Sequence, residues 1–156
     1  MEYQDFIASK SFLNENIGFD PSSISQKLFD FQRDIVDWAC RRGSVAIFAD
    51  CGMGKTAMQL QWAHNVPGRV LIAAPLAVAS QTVREGAKFD VGVQQCRKQD
   101  DVKERIIITN YETMHHFDPS KFDAIILDES SILKSYTGKF RNYVIDEWGK
   151  KKHKLA

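Results

Sequence analysis

The chain has 156 residues, 44% of them hydrophobic and 26% charged, enough to bury one substantial core without disulfide or metal staples. Its net charge of +1 excludes capture of nucleic acid or membrane by a uniformly basic surface, so any polyanion has to be bound locally. Cys40, Cys51 and Cys96 form no CxxC pair, no zinc-like spacing with the histidines and no even-numbered disulfide frame, and there is no long apolar run or secretory leader, so a reducing cytoplasm is expected and a membrane partner is not.

Residues 1–27, ending near GFDPSSIS, carry turn formers and little periodicity and read as a loosely structured lead-in to a domain over 28–156. LFDFQRDIVDWACRR (28–42) repeats its apolar positions at three and four and predicts a helix. SVAIFA (44–49) follows as a near-continuous apolar run, the pattern of a strand buried on both faces. KTAMQLQWAHN (55–65) is helical in period, RVLIAAP (69–75) is a second strand, and LAVASQTVREGAKF (76–89) is a third helix. RIIITN (105–110) and FDAIILDE (122–129) complete four apolar strands, and the lysine-rich run 150–154 reads as a solvated turn before a further strand. Trp38, Trp62 and Trp148 fall in helix-period segments and are assigned to packing. Alternating strands and helices of this kind predict an α/β domain with a mostly parallel sheet and helices on both faces.

The chemistry lies at two strand ends. Ala49-Asp50-Cys51-Gly52-Met53-Gly54-Lys55-Thr56 follows a strand and opens a helix, matching GxxxxGK[ST] everywhere except Ala49 at the first position. A loop that wraps phosphates must expose successive backbone N–H groups, and Gly52 and Gly54 permit the conformations and the close approach that this requires. Lys55 is then placed for the β and γ phosphates and Thr56 for a magnesium ion, while the helix start aims its positive end at the same anion. The ligand expected is a nucleoside triphosphate. Asp128-Glu129 ends an apolar strand 73 residues beyond Lys55, in the crevice where parallel sheets bind ligands. Asp128 is assigned to magnesium and Glu129 to the water that attacks the γ-phosphate; a surface acid pair capping the next helix is the competing reading.

These residues together resemble the first RecA-like lobe of a superfamily 2 DEAD/DEAH-box helicase or translocase, of the Snf2-like type found in phages and prophages. The likeness runs from Leu28 to the end of the chain. Phe29-Asp30-Phe31-Gln32-Arg33 resembles the Q motif, which implies that Gln32 reads an adenine edge beside an aromatic such as Phe29, and hence that the nucleotide is ATP. Gln32 on an outer helix face, with Phe29 and Phe31 in the core, stays open as the alternative. Val70–Val78, with Pro75 and Leu76, resembles motif Ia, and Ile107–Glu112, with Thr109, Asn110 and Tyr111, resembles motif Ib. The resemblance implies that both touch the backbone of a nucleic-acid strand, DNA being favoured over RNA; Pro75 as a plain strand terminator and Tyr111 as core filling stay open as the alternative.

Asp128-Glu129-Ser130-Ser131 departs from the commoner DEAD or DEAH ending at the residue that usually links hydrolysis to the strand grip. The family continues with a motif III and a second RecA-like lobe whose arginines complete the ATP site, and this chain is expected to stop where motif III begins. The resemblance thus implies an ATP-binding lobe using ATP and Mg2+, nearly inactive alone, from a bacterial or phage-infected cytoplasm. The reading kept beside it is a stand-alone ATP-binding regulatory or decoy module that does not turn over.

Overall fold

The computed structural model describes residues 17–50 and 52–156. Residues 1–16 of the expected lead-in, and Cys51 of the glycine loop, lie outside the described residues. Six parallel strands form one sheet in the order β1-β6-β5-β2-β4-β3: β1 Ser44–Val45, β2 Val70–Ala74, β3 Gln94–Gln95, β4 Ile106–Asn110, β5 Ala124–Leu127 and β6 His153–Leu155. Helix α1 (Asp30–Arg42) precedes β1, and α2 (Lys55–Asn65), α3 (Leu76–Lys88) and α4 (Gly138–Tyr143) lie between later strands, with short helical turns around them. This is the doubly covered α/β architecture of a RecA-like P-loop NTPase domain.

The central strands show why such a sheet has to be sandwiched. Every residue of β2 and β4 is buried, and successive side chains enter different cores. Val70, Ile72, Ala74, Ile106, Ile108, Ala124 and Ile126 pack with Val36, Met58, Leu60 and Trp62 of α1 and α2. Leu71, Ala73, Ile107 and Ile125 pack on the opposite face with Tyr111, Met114, Phe122, Val144 and Trp148. Two of the three tryptophans are therefore core, whereas Trp38 is exposed. Cys40 and Cys96 are buried free thiols, and burial pushes the Cys40 thiol up to about 12, which leaves it unreactive.

Five elements differ from the expectation drawn from the sequence, and of these β3 and α4 have no predicted counterpart at all. The apolar run 44–49 forms a ladder only at Ser44–Val45, because β1 has one neighbour: Ala156 N donates to Val45 O, Ile47 N donates to Ala156 O, and no described strand pairs the residues beyond. Ala46 and Phe48 are exposed as a result. The lysine-rich stretch contains β6 itself, wedged between β1 and β5. Its lysines make contacts with carbonyls: Lys151 Nζ donates to Phe122 O at 2.7 Å and Lys154 Nζ to Gly149 O at 2.7 Å. Finally, residues 18–25 of the lead-in are tied to the helices. Phe19 N donates to Cys40 O, Ser25 N to Gln61 Oε1, and Ser23 N to Asn65 Oδ1.

Helix α2 matters most, because its start faces the candidate site. Its C-terminus ends without glycine, at an extended Val66, so its last carbonyls need an outside donor. Arg105, just ahead of β4, supplies it: the guanidinium donates to Ala63 O, His64 O, Val66 O and Gly68 O at 2.7–3.3 Å. A cation at the negative end of the helix adds to those bonds. We expect Arg105→Met to lower stability by about 2 kcal/mol, the scale for hydrogen bonds to a charged donor. In urea this appears as a reduced midpoint with an unchanged slope; an unchanged midpoint would contradict the capping role.

Candidate functional site

Parallel strands deliver the loops at their carboxyl ends to one edge of the sheet, and there the loop after β1 meets the acids after β5. The turn is closed by Met53 N donating to Asp50 O at 3.2 Å. Gly52 and Gly54 both have positive φ, 84° and 76°, a conformation that costs a residue with a Cβ roughly 1–2 kcal/mol. Gly54 is the residue before α2, and being glycine it offers no side-chain cap; the first turn also contains no acid. The first N–H groups of α2 therefore point into the site without a side-chain acceptor. Lys55 and Thr56 open that turn half-buried, and among the described residues no carboxylate lies within ion-pair distance of Lys55. A preformed arrangement of N–H groups, helix end and free ammonium is a site for a polyanion.

Gln32 braces this loop. It is 6% exposed, its Nε2 donates to Met53 O at 2.9 Å, and its Oε1 accepts from Phe29 N at 3.0 Å. A Cβ on Gly54 would collide with Gln32 Nε2, so a larger residue there would be strained by φ and would also push the Gln32 amide off its partners. The outer-face reading of Gln32 is thus corrected: the side chain turns inward and joins the start of α1 to the phosphate-type loop. Phe29 and Phe31 do not fill the core. They are 71% and 40% exposed, with rings nearly parallel at 9° and centroids 6.2 Å apart.

The acid pair is held from three sides. Asp128 is buried, its N–H donates to Ala73 O at 2.8 Å, and its Oδ1 accepts from Gln59 Nε2 at 3.0 Å. The Tyr111 hydroxyl donates to Asp128 O at 2.7 Å. Glu129 is exposed and left-handed, φ 51° and ψ 52°, and its side chain does not cap the turn Ser130–Lys134 that follows. The capping alternative for this pair is therefore not what the structure has. A cavity of about 380 Å³ is lined by Gly52, Gly54, Lys55, Thr56 and Glu129, with Gln81 and Glu85 of α3. A second, of about 260 Å³, is lined by Lys55, Gln59, Glu129 and Ser130, so Lys55 and Glu129 border both.

Among the described residues no three His, Cys, Asp or Glu side chains gather to hold a metal by themselves. A magnesium ion, which takes most of its oxygen ligands from phosphate and water, would need no such cluster; Thr56 borders the larger cavity, whereas Asp128, buried and bonded to Gln59, lines neither.

The residues matched to motifs Ia and Ib share the same edge, since Ala74 pairs in register with Asn110, but they are not equally accessible. Pro75 precedes α3 and Leu76 is exposed, whereas Thr109, Asn110 and Tyr111 are buried. The Thr109 hydroxyl is engaged with that of Thr113 at 2.7 Å. Gln59 and Tyr111, which fix Asp128, were not singled out for that role. Gln59 had a readable mark, being a polar residue one helical turn beyond Lys55 in an otherwise packed helix.

No family model and no curated protein matches the sequence. The fold has relatives among solved structures. The UvsW helicase from bacteriophage T4 superposes with a TM-score of 0.64 at 16% identity, over 99% of this chain and 59% of that one. A second T4 UvsW structure gives 0.68 at 16% identity, over 99% and 34%. The Sulfolobus solfataricus SWI2/SNF2 ATPase core, solved in complex with double-stranded DNA, gives 0.65 at 21%, over 92% and 33%. The chain thus shares the fold of these structures over 92–99% of its own length and spans a third to three fifths of theirs.

The Gln32–Gly54 contact is testable by coupling. Gly54→Ala should destabilise the chain by roughly 1–2 kcal/mol from φ alone and by more through the clash with Gln32. In a Gln32→Ala background the same change should cost less, a non-additivity read from urea midpoints. Equal costs in the two backgrounds would show that the brace is not there.

Proposed function

We propose that this chain is the ATP-binding lobe of an ATP-dependent nucleic-acid helicase or translocase. The observation that carries the reading is the convergence, on one cavity, of the uncapped start of α2 with Lys55 and Thr56 and of Glu129 from the end of β5. In this reading the triphosphate lies along the N–H groups of Gly52–Thr56, and Lys55 neutralises its β and γ phosphates. Thr56 and Asp128 would hold magnesium, which supplies charge neutralisation when bound. Asp128 keeps its register through Gln59 and Ala73. Glu129, exposed to the cavity, orients the attacking water and accepts its proton, giving ADP and phosphate.

The base would lie against the exposed Phe29–Phe31 surface. Gln32 spends one N–H on Met53 and one lone pair on Phe29, which leaves one N–H and one lone pair, the complement of an adenine edge. The nucleic-acid partner, with DNA favoured, rests on likeness to T4 UvsW, a helicase, and to the Sulfolobus core solved with double-stranded DNA. The surface at Pro75 and Leu76 is the part of the motif Ia and Ib region open to such a strand. Among the described residues no helix is long and apolar enough to cross a membrane, and we place the protein in the cytoplasm of a bacterial or phage-infected cell.

Among the described residues no arginine lines either cavity. An arginine at the γ-phosphate contributes on the order of 10³ to 10⁵ to phosphoryl transfer. The lobe alone therefore binds ATP far better than it hydrolyses it, and the same observation favours, as the second reading, a binding module that does not turn over. A second RecA-like lobe supplying that arginine is the partner the first reading requires.

Titration with Mg-ATP tests the assignment. Parent protein should bind saturably, and Lys55→Ala should weaken binding roughly 10- to 100-fold, the equivalent of one charged hydrogen bond. Undiminished binding by Lys55→Ala would refute the phosphate-loop role. Glu129→Gln should retain binding while its single-turnover hydrolysis falls by about 10² or more; unimpaired hydrolysis would remove Glu129 from the chemistry.

A further inference from the structure

Asp128 and Glu129 are joined by a peptide group whose oxygen is bonded in an unusual way for a loop at a sheet edge. The bond comes from Tyr111, which directly follows β4 and is 1% exposed. In the sheet order, β2 lies between β4 and β5, so the Tyr111 side chain reaches past the end of one strand to touch the loop of the next but one. On the far side of the same peptide, Glu129 has φ 51°, which a residue with a Cβ seldom adopts.

These two facts belong together. A peptide group is planar, so its oxygen and the following N–H turn as one unit. Rotating the Asp128–Glu129 plane would relieve Glu129 by carrying its φ back to negative values. The same rotation would pull Asp128 O off the Tyr111 hydroxyl and leave a buried carbonyl without a donor. The hydroxyl therefore opposes the relaxation and ties the segment that carries Glu129 to the residue directly after β4. Asp128 is less dependent on this contact, because its carboxylate and its N–H are anchored separately by Gln59 and Ala73.

We propose that Tyr111 is a positioning residue for hydrolysis: by holding the Asp128–Glu129 peptide against the end of β4 it keeps the Glu129 backbone, and with it the carboxylate, beside the cavity that the attacking water would enter. The proposal rests on the ATPase reading above and adds to it a residue on β4 that acts through Glu129 without touching nucleotide. It also provides a physical connection from the loop after β4, the region matched to motif Ib, to the hydrolytic acid, at a site where Ser131 stands in place of the family's usual link.

The test uses the whole chain, Mg-ATP affinity by calorimetry, and single-turnover release of phosphate from radiolabelled ATP. Tyr111→Phe should leave the affinity within about twofold and slow hydrolysis about 10- to 100-fold, the usual effect of removing a supporting contact behind an active group. In a Glu129→Gln background the same substitution should change the residual rate by less than about twofold, because a positioning effect disappears with the group positioned. Para-aminophenylalanine at position 111, which keeps a donor, should restore the rate; it serves also if Tyr111→Phe fails to fold. A rate unchanged in Tyr111→Phe, an equal loss in both Glu129 backgrounds, or no recovery with the donor restored would overturn the proposal while leaving ATP binding intact. Hydrolysis by the parent no faster than in buffer, with ATP bound, would overturn it too. Failure of the parent to bind Mg-ATP would instead sink the ATPase reading itself.

Discussion

The first turn of α2 presents backbone N–H groups for which the described residues supply no capping side chain, since Gly54 stands where a capping serine or aspartate would otherwise serve. Such groups must be satisfied from elsewhere, and water or an anion are the available partners. The surroundings favour the anion. Lys55 has no ion-pair partner among the described residues. Gln32 holds the loop open from behind, and Arg105 secures the opposite end of the helix, so that its dipole is anchored at one end and exposed at the other.

The sheet converts this local deficit into a site. Because β2, β4 and β5 are buried on both faces, their ends cannot drift relative to one another without disturbing two cores at once. Asp128 N bonding to Ala73 O and Tyr111 bonding to Asp128 O carry that rigidity into the loop that holds Glu129. The strain at Glu129 is thus located at the residue assigned to chemistry, where a rigid frame can maintain it. The exposed pieces, Phe29, Phe31, Leu76 and Phe48, lie outside this frame and are free to meet a base, a strand or another polypeptide.

Much of this was legible in the sequence, and the reasons are specific. Val70–Ala74, Ile106–Asn110 and Ala124–Leu127 are apolar without alternation because both faces are covered, and they emerged within a few residues of their expected limits. Helix α2 fell at 55–65 as expected, since a glycine before lysine and threonine marks its start. The further strand was expected after the lysine-rich run, but His153–Leu155 starts within it, because lysines mask the pattern and only the fold reveals that the ammonium groups of Lys151 and Lys154 are taken up by nearby carbonyls. Periodicity could not decide whether Phe29 and Phe31 faced core or solvent, because that depends on where α1 sits against α2. Likewise, the motif suggested strand contacts at Thr109 and Tyr111, with core filling open for Tyr111, and both prove to be buried. What linear sequence withheld was the long-range hydrogen bonding of Gln32, Gln59, Arg105 and Tyr111, whose partners lie 17 to 69 residues away.

The central claim is that the loop from Gly52 to Thr56 and the acid at Glu129 surround one polyphosphate. Backbone amide resonances read this residue by residue, independently of turnover. On addition of Mg-ADP the account predicts saturable shifts centred on Gly52, Gly54, Lys55, Thr56 and Glu129, with β3 and the Trp148 region left in place. Shifts centred on the Trp148 face, or none at the glycine loop at saturating nucleotide, would contradict it.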